Sequence, residues 1–284
     1  MKVAVLSGKG GTGKTFISVN LAEVMAGGYY VDCDVEEPNG HLFLKPKWSK
    51  EIDVMQKSPV IDQKKCTDCR ACTTFCRFNA LAGAGQKILV FEDICHACGG
   101  CVLVCPQGAI TEKEKAIGTI KEGQSEKTTV ITGMMHVKEA SGVPIIRQLL
   151  ERVSRAENVV IDCPPGSACT VMESIKEADF CLLVAEPTRF GRHNLAMVHE
   201  LVTLYQKPYG VVLNKSIEGE NPSRAYCEEH DISILGDIKY DDLLGKRLSE
   251  GKIPVRVEGH YQQVFETIGH QIHLKMSEDK GEVT

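Results

Sequence analysis

Ser7–Thr15 reads SGKGGTGKT and directly follows a bare apolar strand, Val3–Leu6. Gly8, Gly13, Lys14 and Thr15 satisfy G-x-x-x-x-G-K-[ST], and residues 14–26 beyond them have helical character, so the motif sits in the strand–loop–helix context that gives it meaning. Residue types follow from the task. Glycines let backbone N–H groups turn toward phosphate oxygens, Lys14 reaches the β and γ oxygens, Thr15 ligates Mg²⁺, and the helix N-terminus adds a favourable dipole. A chain that opens this way is constrained to an α/β fold with a mainly parallel sheet flanked by helices. Lys9 is a second lysine that a minimal loop does not need.

The rest of the chain supports that class. Short apolar runs, expected as strands, begin at Tyr29, Thr128, Asn158, Phe180, Tyr209 and Ile232, and they alternate with amphipathic stretches near 143–155, 192–206 and 222–230. A last helix is expected over Tyr261–Leu274, followed by a frayed acidic tail, SEDKGEVT. A net charge of −5 over 284 residues gives no electrostatic case for nucleic-acid binding. The N-terminus lacks the pattern of a secretory signal and no run approaches a membrane span, so a cytoplasmic protein without a membrane anchor is expected.

One segment breaks the alternation. VIDQKKCTDCRACTTFCRFNAL is echoed 29 residues later by LVFEDICHACGGCVLVCPQGAI, with Cys66, Cys69, Cys72 and Cys76 mapping onto Cys95, Cys98, Cys101 and Cys105. Each run has the C-x₂-C-x₂-C-x₃-C spacing of bacterial two-cluster ferredoxins, in which the fourth cysteine ligates the other cluster. The reading is one [4Fe-4S] cluster on Cys66, Cys69, Cys72 and Cys105 and a second on Cys95, Cys98, Cys101 and Cys76. Zinc and disulfides are the alternatives. Zinc normally draws two ligands from each of two pairs, and disulfides suit a different compartment. The expected organisation is an ATPase domain in two parts, 1–54 and 123–284, interrupted by a small ferredoxin module at 55–122. Of the five other cysteines, Cys33, Cys163 and Cys181 fall in or beside apolar strands and read as buried thiols.

The form G-K-G-G-T-G-K-T resembles the deviant phosphate loop of the MinD, ParA, Mrp and nitrogenase iron-protein ATPases. That resemblance implies a nucleotide site built from Gly8, Lys9, Gly10, Gly11, Thr12, Gly13, Lys14 and Thr15, with Lys9 crossing a homodimer interface as an arginine finger would. VDCDVEEPN at Val31 is similar to the family's first switch. It implies that Asp32 acts near Mg²⁺, Asp34 orients or deprotonates the attacking water, and Asn39 belongs to the moving segment. VVIDCPPG resembles the second switch, placing Asp162 in the Mg²⁺ shell and Gly166 as a γ-phosphate sensor. Asn214 matches the family's adenine-contacting asparagine. AEPTRFG departs from the family pattern at Arg189, and IKYDD carries Lys239-Tyr240 where proline is usual. Cys169 looks like the position of a bridging-cluster ligand in the nitrogenase iron protein, without an evident partner cysteine.

Three functions are compatible with these features. The leading one is an ATPase whose ATP-driven homodimer couples to electron transfer through two [4Fe-4S] clusters to a protein partner. The second is an Mrp-like scaffold or carrier delivering clusters to apo-targets, and the third is a MinD-like positioning switch with redox sensing added.

Overall fold

The computed structural model describes residues 1–25 and 27–281; Ala26, expected at the end of the first helix, and the last three residues of the acidic tail lie outside them. Strands are β1 (Lys2–Leu6), β2 (Tyr29–Asp32), β3 (Lys47–Ile61), β4 (Leu81–Ala84), β5 (Lys87–Val90), β6 (Ile110–Ser125), β7 (Thr128–Met135), β8 (Val159–Asp162), β9 (Phe180–Ala185), β10 (Tyr209–Ser216) and β11 (Ile234–Lys239). Helices are α1 (Lys14–Val24), α2 (Gly40–Leu44), α3 (Ala71–Phe75), α4 (Gly100–Leu103), α5 (Val143–Arg152), α6 (Cys169–Ile175), α7 (Arg189–Leu204), α8 (Pro222–Glu229), α9 (Asp242–Ser249), α10 (Pro254–Val257) and α11 (Gly259–Gly281). The stretch expected to fray thus continues α11 as far as Gly281.

Nine strands form one sheet in the order β11-β10-β9-β1-β8-β2-β7-β6-β3. From β11 to β7 neighbouring strands run parallel; β6 and β3 add an antiparallel edge. The parallel strands read as unbroken apolar runs because helices cover both faces. Alternate residues of β1 show this: Ala4 and Leu6 join the core under α5, α6, α7 and α8, while Val3 and Val5 join the core under α1, α10 and α11. The second core is closed by α11, whose Phe265 is fully buried and meets Phe16 of α1 edge to face at 5.5 Å.

The antiparallel edge is what the apolar runs did not foretell. β3 and β6 pair from Lys47 opposite Gln124 out to Ile61 opposite Ile110, yet β7 accompanies β6 only between Gly118 and Ser125. Their outer halves therefore leave the sheet as a two-stranded ribbon. A register shift between Val54 and Met55 marks the exit, as bulges commonly do where a ribbon bends away from a sheet. Residues 118–122, expected with the inserted module, belong to the main sheet instead, because Ile120 is buried in the core beneath α5. At the ribbon's tip, residues 62–109 form a small unit of α3, α4 and the β4–β5 hairpin around Cys72, Leu81, Ile88 and Ile110.

Truncating Phe265 to Ala should destabilise the chain by about 3–5 kcal/mol, the usual cost of removing a buried aromatic ring. A urea titration followed by far-UV circular dichroism would show a lowered midpoint with an unchanged slope.

Candidate functional site

The loop after β1 wraps the N-terminus of α1, so the first free N–H groups of that helix open into a cleft of about 780 Å³. Two glycines there are dictated by crowding. Gly13 has φ of +90°, and any Cβ on it would overlap the Asn214 amide; a Cβ on Gly8 would overlap the Asn194 backbone. Lys9, Gly10, Gly11, Gly13, Lys14 and Thr15 all line the cleft, while Gly8 and Thr12 form the inner turn.

Lys14 is only 6% exposed, and its Nζ donates to Asp162 Oδ1 at 2.8 Å. Burial works against its charge, but the Asp162 carboxylate outweighs that, and the Lys14 pKa ends above the ordinary lysine value. Asp162 closes β8, and the parallel register sets it directly opposite Asp32 at the end of β2. Asp32 is completely buried, and burial together with the neighbouring Asp162 charge pushes its carboxyl well up; the Gly40 N–H, donating to Oδ2 at 3.0 Å, opposes the rise. Asp34 lies two residues further, lines the cleft, and is pushed up to about 6, chiefly by burial. Thus Thr15, Asp32, Asp34 and Asp162 gather at the carboxyl ends of three strands, where an open α/β sheet places its ligands.

The remaining expected positions are distributed as follows. Asn39 lines the cleft at the start of α2 and its amide donates to the Glu37 carbonyl at 2.7 Å. Gly166, at φ of +92°, donates its N–H to the Ser7 carbonyl at 2.9 Å, so in this conformation that donor is engaged. Lys9 Nζ rests 2.6 Å from Glu186 Oε2 of its own chain and 5.3 Å from the Phe190 ring centre. Asn214, expected at the adenine, lies beneath the loop, donating to the Thr12 carbonyl at 2.7 Å. The cleft wall beside it is made by Lys215 and by Leu248–Gly251. Arg189 opens α7, where Thr188 caps the helix by accepting the Gly191 N–H at 2.8 Å.

Sequence reasoning missed Tyr30, Glu186 and Lys215. Glu186 lies within AEPT, yet its role emerges only once the fold brings Lys9 and Lys215 to its two carboxylate oxygens at 2.6 and 2.7 Å. Those two lysines hold its pKa below the usual carboxylate range, although burial acts the other way. Tyr30 carried a visible signal, since a phenol in a strand buried on both faces must find a partner for its hydroxyl.

The repeated cysteines are sorted by the tip unit into two small cavities. One is lined by Cys66, Cys69, Cys72 and Cys105, with Ile61, Ile88, Ala109 and Ile110 among its apolar walls. The other is lined by Cys76, Cys95, Cys98 and Cys101, with Pro59, Phe75, Ala80 and Leu81. Each set takes three sulfurs from one run and the last from the other. Backbone N–H groups reach two of the sulfurs, Ala109 to Cys105 Sγ at 3.3 Å and Ala97 to Cys95 Sγ at 3.5 Å. Among the described residues no three His, Cys, Asp or Glu side chains are grouped so as to hold a metal ion. Cys33, Cys163, Cys181 and Cys227 are buried, whereas Cys169 is exposed at the start of α6.

Residues 3–255 match the family model described as the CobQ/CobB/MinD/ParA nucleotide binding domain. The chain belongs to that family. It is a P-loop ATPase with a mixed, mainly parallel sheet flanked by helices. An uncharacterised protein of Methanocaldococcus jannaschii is 31% identical over 228 residues, covering 76% of this chain and 80% of its own. An iron-sulfur cluster carrier protein of Pyrococcus abyssi is 25% identical, covering 99% and 88%. Among solved structures, the cell division ATPase MinD of Pyrococcus furiosus superimposes with a TM-score of 0.60 at 17% identity, over 96% of this chain and 98% of that one. Among the described residues no helix is long and apolar enough to cross a membrane.

A base that must be ionised loses activity as pH falls through its pKa. With Asp34 pushed up to about 6 among Lys14, Asp162, Glu36 and Glu37, kcat/KM for ATP hydrolysis should fall tenfold per unit below pH ~6. Steady-state assays from pH 5 to 8 check this, and D34N should be nearly inactive with that limb of the profile absent.

Proposed function

We propose that this ATPase is an ATP-driven homodimeric switch that couples nucleotide turnover to electron transfer through two [4Fe-4S] clusters to a protein partner. One observation carries the reading: the eight repeat cysteines divide into two cavities with the fourth cysteine of each run exchanged between them. That exchange is the ligand pattern of two-cluster ferredoxins. Clusters bound there would supply reversible one-electron chemistry. The chain's own part is to offer four thiolates to each, to line the cavities with Ile, Ala, Leu and Phe, and to aim the Ala97 and Ala109 N–H groups at sulfur.

At the other end of the molecule, Gly8 and the backbone from Gly10 to Thr15 cradle the phosphates while Lys14 exchanges Asp162 for a phosphate oxygen. Thr15, Asp32 and Asp162 are the residues that would hold Mg²⁺, and Asp34 takes the proton of the attacking water. Lys9 leaves Glu186 and reaches the nucleotide of a second copy, where its charge meets the negative charge that shifts in phosphoryl transfer. Asn39 and Gly166 move with the two switches. The first switch leads through α2, Lys45 and Pro46 into β3, whose far half carries the cysteine unit, so a displaced α2 acts on the in-sheet end of that same strand.

A second reading is favoured by the comparisons taken over the whole chain: the Pyrococcus relative covering 99% of it is named an iron-sulfur cluster carrier. In that case the clusters are cargo, and the exposed Cys69 and Cys98 mark where each would be handed over.

Anaerobic reconstitution separates the two. Electron transfer predicts iron and sulfide for two clusters that stay bound when excess apo-ferredoxin is added, and a midpoint potential by EPR titration that differs between ADP and a non-hydrolysable ATP analogue. Quantitative loss of iron to apo-ferredoxin would establish the carrier; colourless protein without acid-labile sulfide would refute both. Independently, K9A should reduce ATPase activity by about 10³-fold or more and abolish ATP-dependent dimers in light-scattering chromatography.

A further inference from the structure

Tyr30 has no place in the nucleotide-site residues derived so far, yet the fold sets its hydroxyl among them. The side chain is completely buried in β2, and its Oη donates to Asp162 Oδ2 at 2.8 Å. Asp32 Oδ2 is farther from the same hydroxyl, at 3.5 Å, and receives the Gly40 N–H instead. The two oxygens of Asp162 are thus served separately: Lys14 and Ser18 lie 2.8 and 3.1 Å from Oδ1, and among the described residues Tyr30 alone serves Oδ2. On its other side the phenol touches the first switch. A Cβ on Gly40 would overlap the Tyr30 hydroxyl and ring, so α2 can start where it does only because residue 40 is glycine.

Resting on the reading of Asp162 as a Mg²⁺-holding residue, we propose that Tyr30 is a positioning residue of the ATPase site, holding the Asp162 carboxylate in orientation when Lys14 turns to the nucleotide, with its hydroxyl and ring packed against Gly40 of the first switch. A Lys14 ammonium that turns toward a phosphate oxygen holds Asp162 Oδ1 less firmly, so nucleotide binding weakens the strongest partner of Oδ1. A buried carboxylate with one remaining hydroxyl partner would be free to rotate; a second, fixed hydroxyl on Oδ2 prevents this without adding a competing charge. A hydrogen bond to a charged group contributes more than a neutral one, and the phenol pays little entropy because packing already fixes its ring.

Y30F tests this, since it removes one oxygen and leaves the ring. Nucleotide affinity in EDTA, read with a fluorescent ADP analogue, should stay within twofold of wild type, because Lys14 and the loop are untouched. The Mg²⁺ concentration needed for half-maximal tightening of that analogue should rise about tenfold, and kcat should fall about tenfold with KM for ATP little changed. A merely structural role would instead lower the thermal midpoint and weaken binding equally with and without Mg²⁺, which overturns the proposal. So does a Mg²⁺ requirement and kcat within twofold of wild type. S18A, which takes the other hydroxyl from Asp162 and leaves Tyr30 in place, supplies a second variant should Y30F fail to fold, with the same Mg²⁺-specific signature expected and the same two contrary results decisive.

Discussion

The buried pair of Lys14 and Asp162 is the interaction on which the other parts depend. Taking an ammonium and a carboxylate out of water is costly, and the pair is tolerated because each group finds the other at hydrogen-bond distance with further polar groups around it. Breaking such a pair without a replacement is strongly unfavourable. The pair fixes the N-terminus of α1 against the end of β8, and the parallel register of β8 with β2 sets Asp32 directly beside it, so the loop, both strand ends and the helix share one buried polar centre.

Lys9 repeats this logic at the surface. Glu186 holds it together with Lys215, whose Nζ also donates to the Gly11 carbonyl at 2.6 Å. The loop, the following strand end and the signature lysine are thereby tied through one carboxylate. Glu186 keeps Lys215 when Lys9 is absent, so loss of the Lys9 contact costs a partly exposed ion pair rather than a stranded buried charge, unlike loss of Lys14 from Asp162.

The parallel sheet, with β2 and β8 among its strands, and the phosphate loop were legible in the sequence because they depend on local signals: short apolar runs, glycine spacing and a strand followed by a helix. The eight cysteines were legible through their repeat, and the cavities bring together the same two sets of four. What could not be read was long-range. Lys47–Ile61 mixes Lys, Glu, Ser and Pro with isolated apolar residues, since it is an edge strand that buries only Val54, Ser58 and Pro59, and only the antiparallel pairing with β6 makes it a strand. Asn214 was assigned from a motif, but its direction depends on how close β10 passes beneath Gly13. Tyr30 required knowing that β8 brings Asp162 beside β2.

The two chemical centres are joined by more than the ribbon. Lys115 on β6 lies 2.9 Å from Glu139 in the loop after β7 and 3.7 Å from Asp93 beside Cys95. Gln56 on β3 donates to the Cys95 carbonyl at 3.3 Å. The loop bearing Glu139 begins where the Met135 N–H meets the Val35 carbonyl of the first switch at 2.8 Å, and at Gly142 it packs against Val35 again. A ribbon fixed only at its base could swing without the cysteine unit sensing the switch. With Lys115 bridging to a loop that itself rests on Val35, the ribbon is tied to the residues after β2 at a second point beyond its base, so its direction relative to the sheet is fixed by an ion pair as well as by strand pairing.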